Sequence, residues 1–329
     1  MVRHRKRRGR SGGARWGLRA LLAAFVAALG VAGVTCQPGW LERLGGSDGA
    51  GRPRPAPTSS GGSPGRPTGQ ASDPPRPPAP SVHLELGTPA RKGGGAGPDD
   101  DRLMIKPQYA LSYNRSRNVA NWVGWQLDAS SFGDAPRHSG RFLADATLPD
   151  GWYRVTHDDY TGSGFDRGHM VRSEERTRSP EDNRTTFLLT NILPQRHDLN
   201  AGPWLRLEEH CQELAQREGR TLFLVAGGLF SARSRPETIG KDVAVPEAFF
   251  KIAVVLGAGE GADDVGPATR VIAVVMPNKT GILGDRWGGY RTTVDEIERR
   301  AGYDFLTAVP ASTQRAIEAR ADDGPADRR

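Results

Sequence analysis

Cysteine is nearly absent, with Cys36 and Cys211 the two in 329 residues. Two widely spaced thiols cannot build a cysteine-based zinc site. One closes an apolar run and the other falls in a predicted helix, so the sequence gives a disulfide between them little support. Acidic residues are missing altogether before Glu42, while Arg3, Arg5, Lys6, Arg7, Arg8, Arg10, Arg15 and Arg19 precede it. Beyond that tail the chain carries 37 basic against 38 acidic residues. The formal charge of +7 thus belongs to the N-terminus, and contacts with phosphate must come from local placement of arginine, not a global field.

Long hydrophobic runs are also scarce. The one at Ala20–Cys36 follows the basic tail, in the order expected of a secretory signal or a signal anchor with its positive end retained on the cytoplasmic side. At 17 residues it is short against the roughly 20 usual for a spanning helix. Cleavage after Ala32 or Gly33 and retention as an anchor both remain open. Either outcome places the rest of the chain outside the cytoplasm, secreted or held at the membrane by residues 1–36. Residues 37–100 lack apolar periodicity and are dominated by proline, glycine, serine and arginine. Such a segment cannot bury enough surface to offset its ordering entropy and reads as an extended spacer. The short Val82–Leu86 alternation within it is expected to be an isolated apolar patch. The folded domain is then residues 101–329, with its core at about 103–310, a length sufficient for one well-buried core.

Strands are predicted at 109–113, 119–127, 186–190, 222–226, 249–256 and 269–276 from their β-branched and aromatic content. Helices are predicted at 203–218 before Gly219, at 294–300 before Gly302, and at 313–321. Strands outnumber helices without alternating strictly with them, which favours an α+β layered domain, mainly antiparallel sheet with packed helices.

The chemistry-bearing residues concentrate between Gly162 and Glu208. Gly162, Gly164 and Gly168 bracket Asp166, Arg167 and His169, suggesting a closely approached backbone that presents long polar side chains together. Imidazole is the side chain competent as a base near neutrality. Asn200, Trp204 and Glu208 recur every four residues, within about 80° of arc on one continuous helix. That face offers an amide oxygen and a carboxylate, donors suited to Mg²⁺, which is often held by one or two protein groups plus water and phosphate. His157-Asp158-Asp159 reads instead as a solvated loop, since neighbours on extended chain point to opposite faces. Ser163 lacks the following helix and ordered partners of a nucleophile elbow.

Together, Ser-Gly-Phe-Asp-Arg-Gly-His-Met at 163–170, Thr-Phe-Leu-Leu-Thr-Asn-Ile-Leu-Pro-Gln at 186–195 and Asn-x3-Trp-x3-Glu at 200–208 resemble the DNA/RNA non-specific endonucleases, the endonuclease G type of ββα-metal nucleases. The likeness runs from Leu111-Ser112-Tyr113 to Gly302–Leu306, about 200 residues, and leaves out residues 1–100. It implies a ββα-metal core and hydrolysis of phosphodiester bonds in DNA and RNA. His169 would be the general base, Asn200 the direct ligand of Mg²⁺ with Mn²⁺ able to substitute, and Glu208 the holder of a metal-bound water. Arg167 and Arg117 would bind phosphate, while Asn191 and Gln195 would shape the site. Glu175 departs from the aspartate usual in that family. A phosphodiesterase for smaller diesters and a surface nucleic-acid-binding module with decayed catalysis are the competing readings.

Overall fold

A computed structural model of the chain describes residues 79–94, 97–231 and 234–326. The expected signal or anchor and most of the spacer lie outside the described residues. Among the described residues no helix is long and apolar enough to cross a membrane.

In chain order the strands are β1 (Ala90–Arg91), β2 (Arg102–Ile105), β3 (Ala110–Asn114), β4 (Val119–Leu127), β5 (Asp166–His169), β6 (Ile192–Gln195), β7 (Thr221–Leu229), β8 (Thr238–Ile239), β9 (Val243–Ala244), β10 (Ala248–Leu256), β11 (Arg270–Pro277) and β12 (Tyr303–Asp304). Six of them form the main antiparallel sheet in the order β11-β10-β7-β4-β3-β2. The helices are α1 (Pro180–Thr185), α2 (His197–Leu199), α3 (Leu205–Gln216), α4 (Val294–Ala301) and α5 (Ala311–Glu318). The fold is therefore the α+β class read from the sequence, with one large antiparallel sheet.

The sheet is buried on both faces, and strand alternation divides its side chains between two cores. Phe249 and Ala253 of β10 join Trp125, Trp204 and Leu207 in one core. Phe250, Ile252 and Val254 join Ile297, Phe305 and Ile317 in the other, which α4 and α5 close. The hairpin β5–β6 and helix α3 belong to the first core, and they carry the site. Helix α4 is capped by Thr293, whose side chain accepts from Glu296 N, and ends at Gly302 in the left-handed region (φ 73°), as the sequence predicts.

Three expectations require correction. The segment predicted as a strand at 186–190 holds a 3₁₀ turn, Leu189–Asn191, and the strand follows it at β6. The domain does not begin at 101: Leu84 and Leu86 are buried in the second core, β1 pairs with β12, and His83 Nδ1 accepts from Gln126 N at 3.2 Å. Five residues are too few for periodicity to separate a patch in a linker from a segment packed on a sheet. Nor does the core end near 310, since Ile317 of α5 is fully buried and Asp322 pairs with Arg270 at 2.8 Å and Arg291 at 2.9 Å.

A chain beginning at Ala79 should therefore keep full thermal stability, whereas one beginning at Asp101 should lose stability by several kcal/mol, given roughly 2–5 kcal/mol for each large apolar side chain removed from a core. Urea unfolding of the two chains measures the difference, and equal midpoints would return residues 79–100 to the spacer.

Candidate active site

The hairpin β5–β6 pairs Arg167 with Pro194, Gly168 with Leu193 and His169 with Ile192. Entry into β5 turns through Gly162 and Gly164, both at positive φ (71° and 79°), where a side chain would be strained. Gly168 is required for another reason: a Cβ there would lie 2.0 Å from Gln195 Oε1. Gln195, fully buried, packs under the hairpin and does not face the pocket. Asn191 is also fully buried; its Oδ1 accepts from Val171 N at 3.0 Å and its Nδ2 donates to Val171 O at 3.0 Å and Thr186 O at 2.8 Å. It anchors the backbone just beyond His169 without touching the cavity.

Asn200 opens a π-helical segment, Asn200–Trp204, in which Gly202 leaves helical geometry (φ −104°, ψ −120°). Gly202 also passes tightly against another part of the chain, for a Cβ there would meet Leu283 Cα and O at 3.0 Å. The single regular helix face expected for Asn200, Trp204 and Glu208 is thus not formed. Glu208 lies on α3, Trp204 is wholly buried, and the break still brings Asn200 and Glu208 to one cavity. Asn200 Nδ2 donates to Asp166 Oδ2 at 3.0 Å, and that same oxygen lies 2.9 Å from His197 Nδ1. Anchoring the nitrogen of the amide turns its oxygen away from Asp166.

The cavity, about 270 Å³, is lined by His169, Arg167, Asn200 and Glu208 together with Arg137, Phe142, Arg172 and Glu174. The His169 ring sits 5.0 Å from Phe187, edge-on, and 5.3 Å from Phe142. Its Nε2 is buried without a protein hydrogen-bond partner. Burial, followed by the charge of Arg137, pushes its pKa down to about 3, so the imidazole is neutral and able to accept a proton. Arg167 is held by His157 O (2.8 Å) and Thr161 Oγ1 (3.1 Å) over the rings of Phe142 and Tyr160. Arg137 bonds Ser173 and lies 2.6 Å from Glu174. Arg172 reaches Glu174 at 3.1 Å and Glu208 at 3.9 Å. Arg117 is not among the cavity's residues: it sits at the β3–β4 turn with its guanidinium 4.4 Å over Phe230. Sequence reasoning missed Arg137 and Arg172. The first stands in a loop without periodicity, while the second, three residues after His169, was the one within reach of the motif.

The comparisons with known proteins bear on this site. The profile of the DNA/RNA non-specific endonucleases matches residues 87–312. The chain belongs to that family. Within this family of metal-dependent nucleases, acting as hydrolases on nucleic acids, it is 45% identical over 251 residues to a nuclease of Nostoc sp., covering 75% of this chain and 88% of that one. It is 31% identical over 242 residues to mitochondrial endonuclease G of Bos taurus, covering 68% and 77%. The mitochondrial nuclease EXOG of Mus musculus is 30% identical, and the match spans 56% of its length. Among solved structures, an EndoG/EndoGI complex contains a chain that aligns with TM-score 0.59 at 26% identity, over 72% of this chain and 96% of that one.

Beneath this cavity lies a buried charge cluster. Lys251, 1% exposed, is 3.3 Å from Glu208 Oε1 and lies 4.3 Å over the Trp204 ring and 5.5 Å over Trp125. Trp125 Nε1 donates to Glu175 Oε2 at 2.9 Å, and Glu175 is fully buried with Oε1 unpartnered. Burial pushes the Glu175 carboxyl up to about 7, opposed by Lys251 and reinforced by Glu208. Burial likewise raises Glu208, against the pull of Lys251 and Arg172.

Because folded Glu175 holds its proton more tightly than the unfolded chain does, with its ordinary value of 4.5, its stabilising share is complete below that value and is lost as pH rises through about 7. Glu175→Gln, which keeps an acceptor for Trp125, should remove that slope. Unfolding free energies of both proteins from urea titrations at about pH 5 and about pH 7.5 should differ by on the order of a few kcal/mol in pH dependence; parallel curves would mean that Glu175 does not titrate in this window.

Proposed function

We propose that the chain is a Mg²⁺-dependent endonuclease that hydrolyses phosphodiester bonds in DNA and RNA, with His169 as the general base. The observation that carries this reading is the unpartnered, neutral Nε2 of His169 in a cavity shared with three arginines, Asn200 and Glu208. Arg137, Arg167 and Arg172 bind the phosphate and orient it by planar, multidentate donation. His169 Nε2 takes the proton of the attacking water. Phe142 and Phe187 hold the imidazole in place and keep the protonated form unfavourable until substrate charge arrives.

The donors present suit a hard ion: Asn200 Oδ1 would hold it directly and the Glu208 carboxylate would orient water around it. When bound, the ion offsets negative charge on the non-bridging and leaving oxygens of the phosphodiester. Acceptance of both sugars rests on phosphate being what the arginines recognise. Outside the cytoplasm, secreted or anchored through residues 1–36, the enzyme would meet nucleic acid released from other cells. A decayed binding module would have no use for a neutral base beside a ligand amide, so the enzymatic reading is preferred to it.

Cleavage of supercoiled plasmid and of single-stranded RNA, followed against Mg²⁺ concentration, tests the proposal. His169→Ala should lower kcat by about 10²–10⁴-fold, and Asn200→Ala should remove most activity and displace the metal dependence. Glu208→Gln should lose less, and Mn²⁺ should support the wild type. The acid limb of kcat/KM should lie below pH 6.5, the ordinary histidine value, and rise in Arg137→Gln, which removes a charge that depresses it. Full activity in EDTA, or wild-type turnover by folded His169→Ala, would end this reading.

A further inference from the structure

We propose that Asp295, Glu298 and Glu318 form a Ca²⁺ site, separate from the nuclease pocket, that ties α4 to α5. Each of the three offers a carboxylate oxygen, and these oxygens lie within 4.8 Å of one another. Asp295 and Glu298 sit on α4, while Glu318 ends α5. Both helices pack in the second core, on the face of the sheet away from His169 and α3.

The site is distinguished from an ordinary acidic surface by burial and by an orphaned donor. Glu298 is 4% exposed and Glu318 5%, whereas Asp295 opens to solvent. Glu298 is already positioned: its Oε1 accepts from Phe305 N at 2.7 Å and its Oε2 from Lys92 at 2.7 Å. Glu318 Oε1 is buried with no hydrogen-bond partner. Burial, followed by the charge of Glu298, pushes the Glu318 carboxyl up to about 8, and Asp295 and Asp304 add to this against a hydrogen bond from Gln314. Lys92, itself half-exposed and shared between Glu298 and Asp304 (3.6 Å), does not balance the carboxylates gathered there. A buried carboxyl oxygen without a donor, within a group of three acidic side chains, has its charge met by a proton or by a cation.

The chemistry of the donors selects the ion. All are hard oxygens, which excludes the softer metals that prefer nitrogen or sulfur. Oxygens on opposite sides of one Ca²⁺ stand about 4.6–5.2 Å apart, and around Mg²⁺ only about 4.0–4.2 Å, by their usual bond lengths. A bound of 4.8 Å admits either ion; what favours Ca²⁺ is that three carboxylates, two of them buried, must replace bound water, which Mg²⁺ gives up reluctantly. The open side at Asp295 leaves room for water to complete the irregular shell that Ca²⁺ accepts. Bound there, the ion would join the C-terminal helix to α4 and, through Glu298, to Lys92 and the β1–β12 ribbon.

The test uses the full chain carrying Asn200→Ala, so that binding at the nuclease pocket does not obscure the result. Calorimetric titration of the metal-free protein with CaCl₂ should find one ion per chain, with Kd of about 10⁻⁴–10⁻³ M, as for weak sites of few protein ligands. At about 5 mM CaCl₂ the unfolding temperature should rise by roughly 3–7 °C, and less with MgCl₂. Adding Glu318→Gln should abolish both signals without impairing folding, because an amide of the same shape takes the place of the buried carboxyl. In the chain with Asn200 intact, Glu318→Gln should leave plasmid cleavage unchanged while lowering the number of bound Ca²⁺ by one, a second measurement should Asn200→Ala fold poorly. No Ca²⁺-dependent rise in Asn200→Ala, a rise retained by Glu318→Gln, or an equal rise with MgCl₂ would overturn the proposal. So would a Glu318→Gln chain stabilised beside a Ca²⁺-indifferent parent, which would assign a proton to the site.

Discussion

The buried ammonium of Lys251 is the constraint on which the site depends. It is set in an otherwise apolar strand, β10, whose alternation turns Phe249, Lys251 and Ala253 toward the face that carries α3 and the cavity. Removing an ammonium from water costs several kcal/mol, and only well-placed partners recover it. Here those partners are Glu208 and the faces of Trp204 and Trp125. An apolar residue would pack there more easily, but it would not specify where Glu208 must sit. By pairing with Glu208, Lys251 sets the position of α3 over the sheet, and thereby the position of the carboxylate relative to Asn200 and His169.

The same cluster explains how a break in the helix can be functional. The π-helical segment and the non-helical Gly202 cost regularity at Asn200–Trp204, and interruptions of this type are common at functional sites. Trp204 anchors the far side of the break in the core, while Asp166 anchors the near side through the Asn200 amide. The two ends are held independently, so the intervening backbone is free to take the geometry the cavity needs. Electrostatics follow the same local logic. The folded part lacks a net cationic field, but three arginines converge on one cavity, each held by a protein partner that fixes its direction.

Much of the fold was legible where hydrophobic pattern and punctuation agree. Strand β4 spans the predicted residues because Val119, Trp122, Val123 and Trp125 carry strand propensity and nearly every position along it is buried. Helix α4 was readable from Thr293 and Gly302, whose capping chemistry is local. Val82–Leu86 was misread because its partners, β4 and the second core, are distant in sequence. Arg117 was assigned to phosphate by resemblance, but the tight β3–β4 turn turns it onto Phe230. Asn191 and Gln195, expected to shape the site, are buried and do not line the cavity, since an amide in a motif gives no sign of which way it faces.

By itself the sequence determined the α+β class and the family, and it singled out His169, Asn200 and Glu208, which line one cavity. Those properties rest on periodicity, on capping and on residues close together in the chain. Only the tertiary structure decided that Asp166 orients Asn200, that Arg137 and Arg172 complete the cavity, and that Lys251 lies beneath it. It alone brought Glu318 against Asp295 and Glu298 at the other face of the sheet. Each of these depends on which strand neighbours which and on which side of the sheet a side chain emerges. Such relations arise from packing between segments tens to hundreds of residues apart, and no local pattern encodes them.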